Sequence, residues 1–224
     1  MSTKSNAYSD SKRQPHAPHS LCGAILLIHD MIKTVCVYSA SSTQIDKIYN
    51  DAAAELGKLM AAAGIRLVNG AGTMGLMRTC ADAVMDAGGE AVGVIPEFMV
   101  ARGWHYDKMT KLIVTEDMHS RKQTMAELSD AAIALPGGCG TLEELMEVIT
   151  WKQLGIYSKP IIILNTNGYY DPLIAMLHKA MDEHFMRPEH AGIWETANTP
   201  SEALRMICTS KPWNTEKAIN TARI

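Results

Sequence analysis

Glu143 and Glu144 follow directly on the run Gly137-Gly138-Cys139-Gly140-Thr141-Leu142, and a basic pair, Arg121 and Lys122, stands upstream of them. Glycines so spaced let bare backbone N–H groups approach an anion, and Thr141 opens a helical pattern whose unpaired N–H groups and dipole favour negative charge. The chemistry on offer is capture of a phosphate with a carboxylate beside it. An acid in the first turn of such a helix would repel the phosphate if it pointed there, so Glu144 must point elsewhere. The plainest alternative gives both acids no more than a favourable interaction with the helix dipole. Arg121 shares a stripe with Met125 and Leu128, at i, i+4 and i+7, and therefore faces the apolar side of its helix. A guanidinium there needs an anion, either a buried carboxylate in a structural ion pair or a ligand; snorkelling of its stem is the remaining alternative. His119 lies on a different face from Arg121 and reads as structural.

These residues need elements to position them. Ala131 to Leu135 lacks polar alternation, as expected of a parallel strand buried on both faces, and Pro136 stops it. Further strands are expected at Thr34 to Tyr38, Ile65 to Val68, Ala91 to Ile95, Lys111 to Val114 and Pro160 to Leu164. Between them, helical spacing runs through Ile45, Ile48, Tyr49, Ala52, Leu56, Leu59 and Ala63, and again through Met77, Cys80, Ala81 and Val84; later helices are expected from Pro172 to His184 and Ser201 to Cys208. Thr115 or Asp117 can cap the helix that carries Arg121. Strands alternating with helices imply an α/β fold, a Rossmann-like doubly wound parallel sheet in a single domain. Loops Ser39 to Ser42, Gly70 to Gly72 and Gly137 to Gly140 then converge at the carboxyl ends of the strands, where such sheets bind ligands. Gly70 to Gly75 fits GxGxxG, but no acid closes the following strand before Pro96, which argues against a dinucleotide and leaves the loop as a second backbone anchor. Glu97 to Tyr106 loses periodicity and reads either as a loop that brings Trp104 and His105 near the site mouth or as an ordinary surface loop.

A chain of 224 residues, 47% hydrophobic and with net charge −3, is ample for one core and has no basic excess for nucleic acid or an anionic membrane. Cys22, Cys36, Cys80, Cys139 and Cys208 form no CxxC pair, so a reduced, cytoplasmic protein without a zinc site is expected. Residues 1–30 read as a disordered or loosely docked extension, within which Leu21 to Ile28 is too short to span a bilayer, and Met31 as a real or alternative start. Residues 31–210 form the nucleotide-binding catalytic domain and 211–224 a tail.

Pro136-Gly-Gly-Cys-Gly-Thr-Leu-Glu-Glu144 resembles the PGGxGTxxE signature of the Lonely Guy (LOG) family of cytokinin-activating phosphoribohydrolases, and Met118-His-Ser-Arg-Lys122 resembles its MHxRK motif. The likeness runs from about Val35 to Leu204, with Gly93 to Pro96 and Ile149 to Gly155 as further landmarks. It implies hydrolysis of the N-glycosidic bond of a nucleoside 5′-monophosphate, with Glu144 and Arg121 as the catalytic pair. Gly137, Gly138, Cys139, Gly140, Thr141, Leu142 and Glu143 would hold the phosphate and ribose, Lys122 would contact the ligand, and Thr150 would lie further along the same helix. The family pattern leaves the Cys139 position variable, so Cys139 is a spacer and no nucleophile. A homodimer is implied; no cofactor and no metal are required. Gly103 stands where many relatives place a glutamate, so a substrate-binding acid is missing or supplied by Glu97 or Asp107, and Ala40 and Ala71 stand where glycine is usual. Relatives have been labelled lysine decarboxylases, yet no lysine-centred pyridoxal phosphate site is recognisable. The rival reading is a non-catalytic nucleotide or phosphometabolite carrier on the same fold.

Overall fold

The computed structural model describes residues 32–222, so the expectations for residues 1–30 and for Met31 lie outside the described residues. Seven short strands, β1 (Thr34–Tyr38), β2 (Arg66–Asn69), β3 (Ala91–Pro96), β4 (Lys111–Thr115), β5 (Ala131–Ala134), β6 (Ile161–Leu164) and β7 (Glu195–Ala197), form one sheet in the order β4-β3-β2-β1-β5-β6-β7. Every pairing is parallel. The connecting helices are α1 (Lys47–Ala62), α2 (Gly75–Asp86), the single turn α3 (Glu97–Val100), α4 (Met118–Leu128), α5 (Cys139–Gln153), α6 (Asp171–Asp182), α7 (Pro200–Thr209) and α8 (Thr215–Ala222).

The period of two along each strand sorts its side chains to two apolar layers. Val35 and Val37 of β1 pack with Leu56 and Met60 of α1, Leu76 and Val84 of α2, and Leu204 of α7. Cys36 and Tyr38 turn to the other face, against Met125 of α4, Leu145 and Ile149 of α5, and Leu177 of α6. Burial on both faces explains why β5 is apolar throughout and β1 is so after Thr34. The chain steps outward from β1 to β4, then returns to lay β5 against β1, with Val35 opposite Ala131. The loops after β1 and β5 leave in opposite directions, and a crevice opens between them at the carboxyl ends.

Some features escaped the sequence pattern. β7 is three residues long, too short to show a period, and is recruited by register with β6, Ile163 opposite Thr196. α8 lies within 211–224 and packs on α5, where a Cβ on Gly155 would stand 2.6 Å from Ile219 Cγ1. Glu97 to Tyr106 contains the turn α3 and then folds back, with His105 bridging to Gly72 and Tyr106 N–H donating to the Ala71 carbonyl at 2.9 Å. That segment therefore abuts the loop after β2. Asp117 caps α4 by accepting from Ser120 N–H at 2.8 Å. No helix among the described residues is long and apolar enough to cross a membrane.

α1 and α2 approach closely because Gly57 lacks a side chain: a Cβ there would stand 2.6 Å from the Cys80 carbonyl oxygen and 2.8 Å from Ala83 Cβ. Gly57→Ala gains about 1 kcal/mol of helix propensity but forces the pair apart, at a cost of about 1–3 kcal/mol. Urea unfolding is expected to show a net loss of stability; a more stable variant would mean that the helices slide without cost.

Candidate active site

Three loops are bound into one rim at the carboxyl ends of β1, β2 and β5. Ala40 N–H donates to the Pro136 carbonyl at 3.3 Å, and Met77 N–H donates to the Ala40 carbonyl at 3.2 Å. Gly75, with φ of 64°, lies under the first loop, where a Cβ would be 2.5 Å from the Ser41 carbonyl carbon. Asn69 is buried and braces the second loop from within. Its Oδ1 accepts from Ala71 N–H at 2.9 Å, and its Nδ2 donates to the Met77 carbonyl at 3.1 Å. Those bonds hold Ala71 at φ of 54°, a left-handed conformation that costs an L-residue about 1–2 kcal/mol.

The glycine loop is shaped for an anion. α5 begins at Cys139 with Gly138 as N-cap and without a side-chain cap, so its first N–H groups face outward. A Cβ on Gly137 would stand 2.1 Å from Thr141 Oγ1, whereas one on Gly138 or Gly140 would meet nothing within 4 Å. Gly137 is thus glycine for packing against buried Thr141, and Gly138 and Gly140 border open space. Two tyrosines pin the loop from behind: Tyr169 Oη donates to the Gly137 carbonyl at 2.8 Å and Tyr170 Oη to the Leu135 carbonyl at 2.7 Å. A cavity of about 180 Å³ lies in the crevice between the β1 and β5 loops, lined by Ala40, Ser42, Tyr49, Gly137, Gly138 and Tyr169.

α5 starts two residues earlier than Thr141, which places Glu144 in its second turn rather than its first. A dipole role weakens there, because the dipole acts over the first turn. Glu144 instead turns inward and pairs with Arg121, Nη1 to Oε1 at 3.2 Å, its side chain 11% exposed. Arg121 also donates Nε to the Val94 carbonyl at 3.0 Å and Nη2 to the Gly70 carbonyl at 3.4 Å. Gly70 is glycine for this reason, since a Cβ there would stand 1.9 Å from Arg121 Nη2. Burial raises the Glu144 carboxyl to about 7, against the opposing pull of the Arg121 guanidinium and with a further push from Glu143. A carboxyl balanced near neutrality inside a rim of phosphate-ready backbone has the make-up of a catalytic acid or base.

The other expected residues divide. Lys122 is buried and its ammonium is held by Glu143 and by Glu147, the latter at 3.0 Å. Burial works to lower its pKa, but the hydrogen bonds to those carboxylates outweigh it and the net shift is upward. The structure therefore spends Lys122 and Glu143 on a clamp between α4 and α5. Cys139 is exposed at the helix start, and Leu142 packs on the core face of α5. Thr150 is exposed, donates Oγ1 to the Met146 carbonyl at 2.7 Å, and lies about 14 Å along α5 from Thr141, so it is not brought to the glycine loop within one chain. His119 is exposed on α4. Gly103 has φ of 69°, a conformation that a glutamate would adopt only under strain, and Glu97 and Asp107 are exposed. Sequence reading missed Asn69, Glu147, Tyr169 and Tyr170. The i, i+4 spacing of Glu143 and Glu147 is the one signal that could have found any of them.

Residues 77–207 match the family described as "Possible lysine decarboxylase". The chain is 44% identical over 195 residues to the Oryza sativa subsp. japonica protein named "Probable cytokinin riboside 5'-monophosphate phosphoribohydrolase LOGL2", across 87% of this chain and 80% of that one. To the Arabidopsis thaliana "Cytokinin riboside 5'-monophosphate phosphoribohydrolase LOG5" it is 40% identical over 188 residues, across 84% of this chain and 82% of that one. Among solved structures, the molybdenum cofactor binding protein of Rippkaea orientalis superposes with a TM-score of 0.61 at 23% identity, over 79% of this chain and 96% of that chain, a likeness of fold.

The clamp yields a direct test. Lys122→Met strands Glu147 partly buried beside Glu143, and is expected to cost about 1–3 kcal/mol in urea unfolding. An unchanged unfolding midpoint would show that Lys122 does not join the two helices.

Proposed function

Because the chain belongs to the Lonely Guy family, we propose that it hydrolyses the N-glycosidic bond of adenosine 5′-monophosphates, including N6-modified ones, to free base and ribose 5-phosphate. The observation that carries this reading is the inward Arg121–Glu144 pair set directly behind the open N-terminus of α5. The names of the relatives, which specify cytokinin riboside 5′-monophosphates, support the substrate class.

The N–H groups from Gly138 onward hold the 5′-phosphate, aided by the positive end of α5. Fixing the phosphate fixes the ribose, and the loss of its freedom before reaction is a large share of the catalytic gain. As the C1′–N bond breaks, the sugar becomes an oxocarbenium ion. Glu144 as carboxylate stabilises that positive charge and orients the attacking water, whose hydroxyl ends on C1′ while the departing base takes up a proton. Arg121 keeps Glu144 aimed and stabilises its ionised form in a buried place. Lys122 acts one step back, by holding α4 against α5.

The proposal includes a homodimer, supported by large exposed apolar side chains at Ile156, Met176 and Phe185. It also includes a reducing, cytoplasmic setting, supported by free thiols at Cys36, Cys80, Cys139 and Cys208.

Chromatography of the released base decides the matter. AMP and an N6-prenylated AMP are expected to be cleaved, adenosine at least about a hundredfold more slowly, and Glu144→Gln to lose on the order of a hundredfold in kcat while still binding AMP. Glu143→Gln, which weakens the clamp and removes a lesser field on Glu144, is expected to keep most of its rate. Tight AMP binding with no base released would instead favour a carrier.

A further inference from the structure

At the opposite end of the sheet, a second cavity of about 550 Å³ opens between the amino ends of β6 and β7, the last turn of α5 and the chain from Thr209 to Asn214. Its volume is that of a small-molecule site, about 300–1,000 Å³. Lys152, His190, Trp194, Glu195, Ser210 and Trp213 are among its walls. Lys152 is 4% exposed, yet its ammonium makes a single hydrogen bond, to the Lys159 carbonyl at 2.9 Å, and no ion pair among the described residues. The Trp213 ring stands 5.6 Å from Lys152 Nζ and is fixed there by its own Nε1, which donates to the Lys152 carbonyl at 2.8 Å.

A buried ammonium with one neutral acceptor lacks the counter-charge that such groups ordinarily have. Burial accordingly holds its pKa down at about 8 against the opposing field of Glu195. Glu195 keeps its charge but makes no ion pair with Lys152, and its carboxylate accepts the Ser210 hydroxyl. The His190 ring is fixed through Nδ1, which accepts from Arg187 N–H at 3.2 Å. Lys152 is therefore the buried cation of the wall, with spare donors and no ion pair among the described residues. The indoles of Trp194 and Trp213 add flat apolar surface beside it.

We propose that this cavity is a second binding site, separate from the catalytic crevice, for a small planar aromatic carboxylate whose anionic group pairs with Lys152 and whose ring lies against Trp194 and Trp213. Both sites bear on α5, with Glu144 near its start and Lys152 in its last turn, about 12 Å apart along the axis.

The test uses the full chain and isothermal titration with 1-naphthoate, with its uncharged analogue 1-naphthamide as a control that needs no mutation. One equivalent of 1-naphthoate is expected to bind, at least about tenfold more tightly than the amide. Lys152→Met is expected to bring the carboxylate down to the level of the amide, while Glu144→Gln and added AMP leave its binding unchanged. Equal binding of acid and amide, no binding at millimolar probe, undiminished binding to Lys152→Met, or displacement by AMP would each overturn the proposal.

Discussion

A guanidinium buried at the inner edge of a sheet is costly unless every face of it meets an acceptor. Arg121 meets three: the carbonyls of Val94 and Gly70, at 3.0 and 3.4 Å, and the Glu144 carboxyl at 3.2 Å. The first two are backbone groups fixed by strand register, so Arg121 has little freedom, and the position of Glu144 follows from it. α5 is thereby tied to the ends of β2 and β3 although neither strand is its neighbour in the sheet. The same burial that makes the pair necessary raises the Glu144 carboxyl to about 7. Structural support and proton chemistry are in this way two aspects of one contact.

Around that contact the backbone supplies what side chains do not. The order of the strands places the crevice between β1 and β5, and hydrogen bonds between the loops close them into a rim. Gly138 and Gly140 leave the start of α5 bare, while Tyr169 and Tyr170 keep the loop from collapsing into that space. The glycines at 70, 75 and 137 serve close packing within the protein, against Arg121, the Ser41–Ser42 backbone and Thr141 respectively. A glycine-rich signature thus mixes positions that border open space with positions that let the protein approach itself.

Local pattern carried most of the fold: buried strands read as unbroken apolar runs, and the stripe of Arg121 with Met125 read correctly as inward-facing, though Leu128 is half-exposed at the helix end. What was illegible depended on where elements lie relative to one another. The clamp of Lys122 is one such feature, because Glu143 and Glu147 on α5 come near it only when α4 and α5 share a face of the sheet. β7 needs its neighbour β6 to exist as a strand at all, and α8 gains its place through Gly155 and Trp213 rather than through any long period of its own. Asn69 and the tyrosine pair are ordinary in sequence and become important only when the rim is assembled.

The central claim is that Glu144, in its ionised form, acts on the reacting sugar, and its pH dependence has a definite sign. Burial raises the carboxyl in the folded enzyme to about 7, so the active carboxylate is depleted as pH falls through that value and complete above it. The most direct measurement is kcat/KM for AMP cleavage from about pH 5 to pH 9, on the intact enzyme and on Glu144→Gln. The account predicts that log kcat/KM of the intact enzyme rises with pH and levels off above about pH 7, and that Glu144→Gln lacks the limb at about pH 7. An intact enzyme with a flat profile, or a Glu144→Gln variant that keeps the same acid limb, would contradict it.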